Sequence, residues 1–323
     1  MQKIDSNKHA NDFDNEIDLR EVFSALVKGK WTIIFLAAFF SIYGIFYSLS
    51  LPNIYQSEAL LAPVDASSSL ISGALGEYSG LAGLAGINLS PNVTGSNHKK
   101  AIELINSLNF FEKNIMPKIF LPDLMAIESW SMKDNTIIYD DSIFQKNINK
   151  WVRDFSYPQK LIPSAQESFK IFKSAHLNLF EDKQTGYISL SIKHQSPLVA
   201  KQWVQLIFDE VNFFYRQKDK EESEKAVFFL NKQLLQNNLS EIRKVISSLL
   251  EKELQKLTLV EANKDYVFEY IFPPSVMEKK SEPNRSLIVI VCFILGACLG
   301  MVIVLLRHFF FKKNAKEGIT ANI

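Results

Sequence analysis

Two long apolar blocks frame the chain. Residues 31–51, WTIIFLAAFFSIYGIFYSLSL, and residues 286–306, SLIVIVCFILGACLGMVIVLL, each run 21 positions without a charged side chain. Either is long enough to cross about 30 Å of hydrocarbon as a helix. A buried core helix seldom runs that far without a charge, so both are read as transmembrane helices. The first follows 30 mostly polar residues and ends without a small-x-small cleavage pattern, which makes it a signal anchor rather than a removable signal peptide. Ahead of it, Leu19, Val22, Phe23, Leu26 and Val27 recur at helical spacing and predict a short amphipathic helix on the membrane surface.

Between the blocks the pattern changes several times. Residues 54–64 (IYQSEALLAPV) read as a strand, 66–97 as a Ser/Gly/Ala-rich stretch and 99–115 as a helix. Residues 116–174 read as short amphipathic helices broken by Pro117, Pro122, Pro158 and Pro163. In YISLSIKH, Ile188, Leu190 and Ile192 alternate with polar neighbours, which predicts a strand with one buried and one partly wet face. Ser196-Pro197 then has the form of a helix start, serine as cap and proline at the first position.

The helix that follows is the dominant feature. Ala200, Trp203, Val204, Ile207, Phe208, Val211, Phe214 and Tyr215 form an apolar stripe, and no proline or glycine interrupts the chain until Pro273. Within it Arg216–Lys225 (RQKDKEESEK) has no apolar residue, and Lys218 with Glu222, Lys220 with Glu224 and Glu221 with Lys225 stand at i,i+4. Such a collar is either a solvated face or loop, or a helix that meets a neighbour through charges. A helix over about 197–236 would be on the order of 60 Å long. Part of it should therefore protrude from a membrane-proximal base. A break near 238–240 precedes a second helix over 241–263, and Tyr266–Phe272 reads as a last strand. The predicted fold is α+β: an α/β membrane-proximal base with a small sheet that joins the first and last strands, long protruding helices, and two transmembrane helices.

Charge sets the expected topology. Lys28 and Lys30 precede the first block, Arg307, His308, Lys312, Lys313 and Lys316 follow the second, and no Lys or Arg lies between Pro52 and His98. By the positive-inside bias the tails 1–30 and 307–323 are cytoplasmic and residues 52–285 lie on the other side. Lys279, Lys280 and Arg285 oppose the rule, but long loops translocate regardless of charge. The only cysteines, Cys292 and Cys298, sit in the second block, so the exported domain has no disulfide to rely on. A net charge of +1 argues against nucleic acid.

Catalytic chemistry finds little support. There is no GxxxxGK[ST], and the glycine stretch ISGALGEYSGLAGLAGINLSP at 71–91 contains neither lysine nor GxGxxG. Of the five histidines, His98, His176 and His194 lie far apart without metal-ligand spacing. No cofactor and no metal are expected. Gly80, Gly83 and Gly86 alternate with Leu81, Leu84 and Ile87, which suits a mobile surface or an oligomer-facing loop better than a phosphate cradle. Gly296 and Gly300 form a GxxxG, either a helix-packing face or chance in a segment type rich in glycine.

The order of these segments resembles the Wzz-type chain length determinant proteins, the polysaccharide co-polymerases of bacteria. The features that carry the likeness are EIDLREVFSALVKGKW, IYQSEALLAP, ISLSIKHQSPLVAKQWV, SEIRKVISSLLEKE and the PPSVMEKKSEPNR approach to the second block, with Pro273, Pro274 and Pro283. Met277 stands where relatives often carry a further proline. The resemblance implies a non-enzymatic, homo-oligomeric protein of the bacterial inner membrane. It would set the length of O-antigen or related glycan made by a separate membrane polymerase from undecaprenyl-pyrophosphate-linked units. The collar residues Arg216, Lys218, Lys220, Glu221, Glu222, Glu224 and Lys225, with the three loop glycines, are then candidate oligomer or polymer contacts. Only 17 residues follow the second block and they hold no P-loop, so a fused kinase is not expected. A two-span sensor or adaptor, or a polysaccharide-export accessory, is the alternative reading.

Overall fold

The computed structural model describes residues 19–64 and 97–320, with side chains for 22–64 and 98–308. In chain order the elements are α1 (Leu19–Lys28), α2 (Lys30–Ser50), β1 (Tyr55–Pro63), α3 (Asn97–Ile105), α4 (Leu121–Met125), β2 (Ile127–Ser131), β3 (Thr136–Tyr139), β4 (Phe144–Gln145), β5 (Lys150–Trp151), α5 (Ala165–Ile171), β6 (Leu177–Glu181), β7 (Ile188–His194), α6 (Pro197–Gln236), α7 (Ser240–Ala262), β8 (Phe268–Phe272) and α8 (Arg285–Thr320). They divide at Pro52/Asn53 and Glu282/Pro283 into two units.

The first unit is helical. α2 packs along α8, and α1 also touches α8. α2 and the Arg285–His308 part of α8 are long and apolar enough to cross a membrane. Most of their large apolar side chains point outward, Phe35, Phe46 and Leu287 among them. Their contact is backbone-close. A Cβ on Gly296 would stand 2.9 Å from the Leu36 carbonyl oxygen and 3.0 Å from the Ala37 Cα. One on Gly300 would stand 2.9 Å from the Ile33 Cα. The GxxxG is thus a seam between two helices of the same chain.

The second unit is built on an antiparallel four-stranded sheet of order β6-β7-β1-β8. β1 is central: Tyr55 to Leu61 pair with His194 to Ile188 on one side, and Leu60 to Pro63 pair with Phe272 to Phe268 on the other. The first and last strands therefore close one sheet. Its core face, with Ala59, Leu61, Ile188, Leu190 and Ile192, is covered by Ala200, Val204, Ile207, Phe208 and Val211 of α6, all of them buried. Each large apolar side chain so buried contributes roughly 1.5–3 kcal/mol. α6 is one uninterrupted 40-residue helix, and α7 returns along it.

Several local expectations fail. Residues 99–115 are not one helix: α3 ends at Ile105, Ser107 caps a new turn at Phe110, and Phe111–Ile115 widens into a π turn. Residues 116–174 are not only helices. They include the hairpins β2–β3 and β4–β5, around a second small core of Ala126, Tyr139, Phe144 and Trp151. The expected wet face of β7 is wet at Ser189 and Lys193, which pair with Glu58 and Glu282, but Ser191 is buried. Ser196 holds the cap position of α6 without a side-chain cap bond; its backbone N–H donates to His194 Nδ1 at 2.9 Å.

Candidate functional site

The most structured polar region lies where α7 turns back into β8 against α6. Its key is Asn212, a buried polar residue in the middle of the apolar stripe of α6. The Asn212 Oδ1 accepts from the backbone N–H groups of Tyr266 (3.2 Å), Val267 (2.7 Å) and Phe268 (3.0 Å), and Nδ2 donates to the Phe268 carbonyl at 3.0 Å. One amide thereby satisfies four main-chain groups where the α7–β8 turn enters the sheet. The turn residues Lys264 and Asp265 are held beside α6 by this anchor.

On α6, Asp209, Phe213 and Arg216 are spaced so that they line one side of the helix. With Lys264 and Asp265 they border a cleft of ≈ 270 Å³, which Lys118 and Glu210 complete. Glu210 is only 7% exposed and is neutralised by the Lys118 ammonium, supplied by the 3-10 turn Met116–Lys118. Burial pushes the Asp209 carboxyl above its usual range; Lys264 opposes the shift, while Glu210 and Asp265 add to it. The other three charged groups, Arg216, Lys264 and Asp265, face the same space.

One turn farther along α6, the charged collar is tied to α7. Tyr266 Oη donates to Asp219 Oδ2 at 2.6 Å, and Lys256 stands 3.7 Å from the same carboxylate. Lys218–Glu222 (4.0 Å) and Glu221–Lys225 (3.8 Å) form along the helix. Lys220 does not take Glu224 as its ion-pair partner. It crosses to Glu261 of α7 at 2.5 Å, a direct hydrogen bond that holds the lysine above and the glutamate below their ordinary ranges. Beyond the collar the helical pair exposes Phe228 (76%), Leu235 (86%) and Val245 (60%).

His176 and His194 lie with Trp203 in a ring cluster, with centroids 5.0 to 5.7 Å apart. Nδ1–H of His176 donates to the Lys193 carbonyl at 2.7 Å, and His194 Nε2 reaches the Asp123 carbonyl at 3.0 Å. Burial depresses both to about 4, with the neighbouring His194 contributing to the shift of His176. Both are thus neutral packing residues. Among the described residues there is no cluster of three His, Cys, Asp or Glu that could hold a metal ion.

Of the candidate site residues named from the sequence and described by the structure, Arg216 alone lines the cleft. The remaining collar residues lie along α6 above it, and Gly296 and Gly300 lie in the seam of the first unit. Pro273 and Pro274 follow β8 directly, and Ser57 Oγ donates to the carbonyl of Ser275 just beyond them at 2.8 Å. Pro283 stands at the boundary between the units. Gly80, Gly83 and Gly86 lie outside the described residues. Sequence reasoning missed Asn212, Asp219, Lys264, Asp265 and Tyr266. For Asn212 a signal existed, a lone amide at i+4 from Phe208 and i−3 from Tyr215 in an otherwise apolar stripe.

The architecture is that of an α+β domain carried between two apolar helices, with a long helical hairpin on a small antiparallel sheet. Residues 15–116, which span the first apolar helix, β1 and α3, match the family model for Wzz, the chain length determinant protein. The resemblance to the chain length determinant proteins holds over that part of the chain. Among solved structures, the chain is similar to a "full-length bacterial polysaccharide co-polymerase" at 13% identity, covering 92% of this chain and 100% of that one with a TM-score of 0.42. It is also similar to a fragment of WzzB, the polysaccharide co-polymerase from Salmonella Typhimurium, at 13% identity, covering 71% and 100% with a TM-score of 0.31. No curated protein matches the chain in sequence.

Proposed function

We propose that the protein is a non-catalytic regulator of polysaccharide chain length, acting on O-antigen or a related surface glycan. The observation that carries this reading is the match of residues 15–116 to the chain length determinant family. In this reading the chain is a two-pass protein of the bacterial inner membrane. Residues 31–51 and 286–306 span, both tails are cytoplasmic, and residues 52–285 are periplasmic. Copies assemble into a homo-oligomer that works with a separate membrane polymerase on undecaprenyl-pyrophosphate-linked glycan. The exposed apolar side chains of the hairpin, Phe228, Leu235 and Val245, support self-association, because a long helix seldom leaves such groups to water without a neighbour. Arg216 and the rest of the collar would then contact polymer or a neighbouring copy.

The test is a deletion strain. Loss of the gene should broaden or shift the length distribution of the surface polysaccharide on a gel, and complementation should restore it. An unchanged ladder in a strain that makes the glycan overturns the reading. Light scattering of the detergent-solubilised protein tests the oligomer separately, and a monomeric mass would remove that part.

A further inference from the structure

We propose that the cleft between α6 and the α7–β8 turn binds saccharide directly and seats a neutral sugar ring of the glycan; the identity of that glycan rests on the chain length reading above. The six charged groups that line it cancel: Lys118, Arg216 and Lys264 against Asp209, Glu210 and Asp265. An anionic ligand would meet Asp209 and Asp265, and a cationic one Arg216 and Lys264. A polyhydroxylated neutral ring meets no like charge. Its hydroxyls donate to the carboxylates and accept from the guanidinium and ammonium groups, using both signs at once.

Phe213, half exposed on the same side of α6, offers an apolar surface for the C–H face of a ring. Phe208 behind it is fixed by stacking on Tyr270 at 3.8 Å. The site is also pre-organised. Asp209 and Arg216 stand on an uninterrupted helix, while Lys264 and Asp265 stand on a turn held by the four hydrogen bonds of Asn212, so little backbone ordering is needed on binding. A volume of ≈ 270 Å³ lies just below the range of about 300–1,000 Å³ usual for drug-sized ligands, which fits one ring with the polymer continuing outside. Asp209, Lys264 and Asp265 are exposed, so a chain can enter and leave laterally.

The experiment uses the full-length protein in detergent and, as probe, lipid-free polysaccharide released by mild acid from the surface of the producing strain. Binding is followed by saturation-transfer NMR and titration for wild type, Arg216→Met, Asp265→Asn and, as an independent third, Lys264→Met. Melting temperatures check that each variant is folded. Wild type should bind, and each folded variant should bind about tenfold or more weakly, the loss of a charge-assisted hydrogen bond. Wild type that fails to bind the probe overturns the inference, as do folded variants that bind like wild type. Variants that disperse the oligomer while wild type shows no binding would make the cleft a subunit contact and likewise overturn it. The deletion strain separates the two claims. Unchanged chain lengths with a binding cleft refute the regulator and keep the saccharide site, and changed lengths with no binding refute the site and keep the regulator.

Discussion

Replacing Asn212 with alanine removes one side chain and strands four main-chain groups. The N–H groups of Val267 and Phe268 belong to buried residues, and both donate to the Asn212 Oδ1. Each stranded buried donor costs about 1–3 kcal/mol, so the local loss is about 2–6 kcal/mol; the half-buried Tyr266 N–H can turn to water and adds little. Asn212→Asp retains the acceptor beneath three N–H donors, a setting that favours the ionised carboxylate, but it loses the bond to the Phe268 carbonyl and faces that oxygen with a charge. The order of damage should be alanine greater than aspartate. Hydrogen exchange with mass spectrometry on the full-length protein measures this directly in peptides that cover 264–272. In the alanine variant, protection should fall by a factor on the order of 30 or more, while peptides of β7 and of the first unit stay unchanged. Equal protection in wild type and Asn212→Ala would refute the claim that this amide holds the turn, and with it the pre-organisation of Lys264 and Asp265.

Other outcomes follow from the same geometry. His176 and His194 stay neutral in the fold down to about 4 against an ordinary 6.5, so the unfolded chain binds more protons between those values. Stability is therefore full above about pH 6.5 and falls progressively as pH drops towards 4, by on the order of 3 kcal/mol for each histidine; a melting temperature flat across that window would contradict it. Gly300→Val places a branched side chain where even a Cβ would stand 2.9 Å from the Ile33 Cα, so α2 and α8 must separate at a cost of about 1–3 kcal/mol, read as earlier thermal aggregation in detergent. In the collar, Asp219→Ala removes the acceptor of the half-buried Tyr266 hydroxyl and should cost about 0.5–1.5 kcal/mol, the net worth of one hydrogen bond. Lys220→Ala should change the melting temperature far less, and that small difference should vanish at high salt.

What the sequence makes legible is what period and composition control. The 40-residue span of α6 follows from an apolar stripe up to Tyr215, i,i+4 charge pairs through the collar and the lack of any helix breaker, and the partnership of β1 with β8 follows from two strands that lead to and from apolar helices. The strands between Met116 and Ser174 escape the pattern because β4 and β5 are only two residues each, too short to display alternation, and β2 (IESWS) and β3 (TIIY) do not alternate. They exist because Phe144 and Trp151 close a small aromatic core with Tyr139, a tertiary contact that overrides local preference. The collar shows the same limit at the level of single pairs. The i,i+4 rule names Lys218–Glu222 and Glu221–Lys225 correctly, but it assigns Lys220 to Glu224 because it sees only one helix. The partner Lys220 takes is 41 residues away on α7.

The cleft extends that limit to the candidate site. Its charged lining comes from three separate stretches: a 3-10 turn at Lys118, one face of α6 at 209–216, and the turn at 264–265. Each stretch alone reads as ordinary surface charge, and Arg216 alone reads as the first residue of a solvated run. They converge because α7 must return along α6 and re-enter the sheet beside β1, and because Asn212 fixes where that re-entry happens. A buried amide in an apolar stripe is costly unless main-chain groups come to meet it, so its presence marks the place where a distant segment docks. The proposed saccharide site is therefore most legible at the residue that breaks the pattern, and the position it fixes is the one that brings Arg216 into one cleft with Lys264 and Asp265.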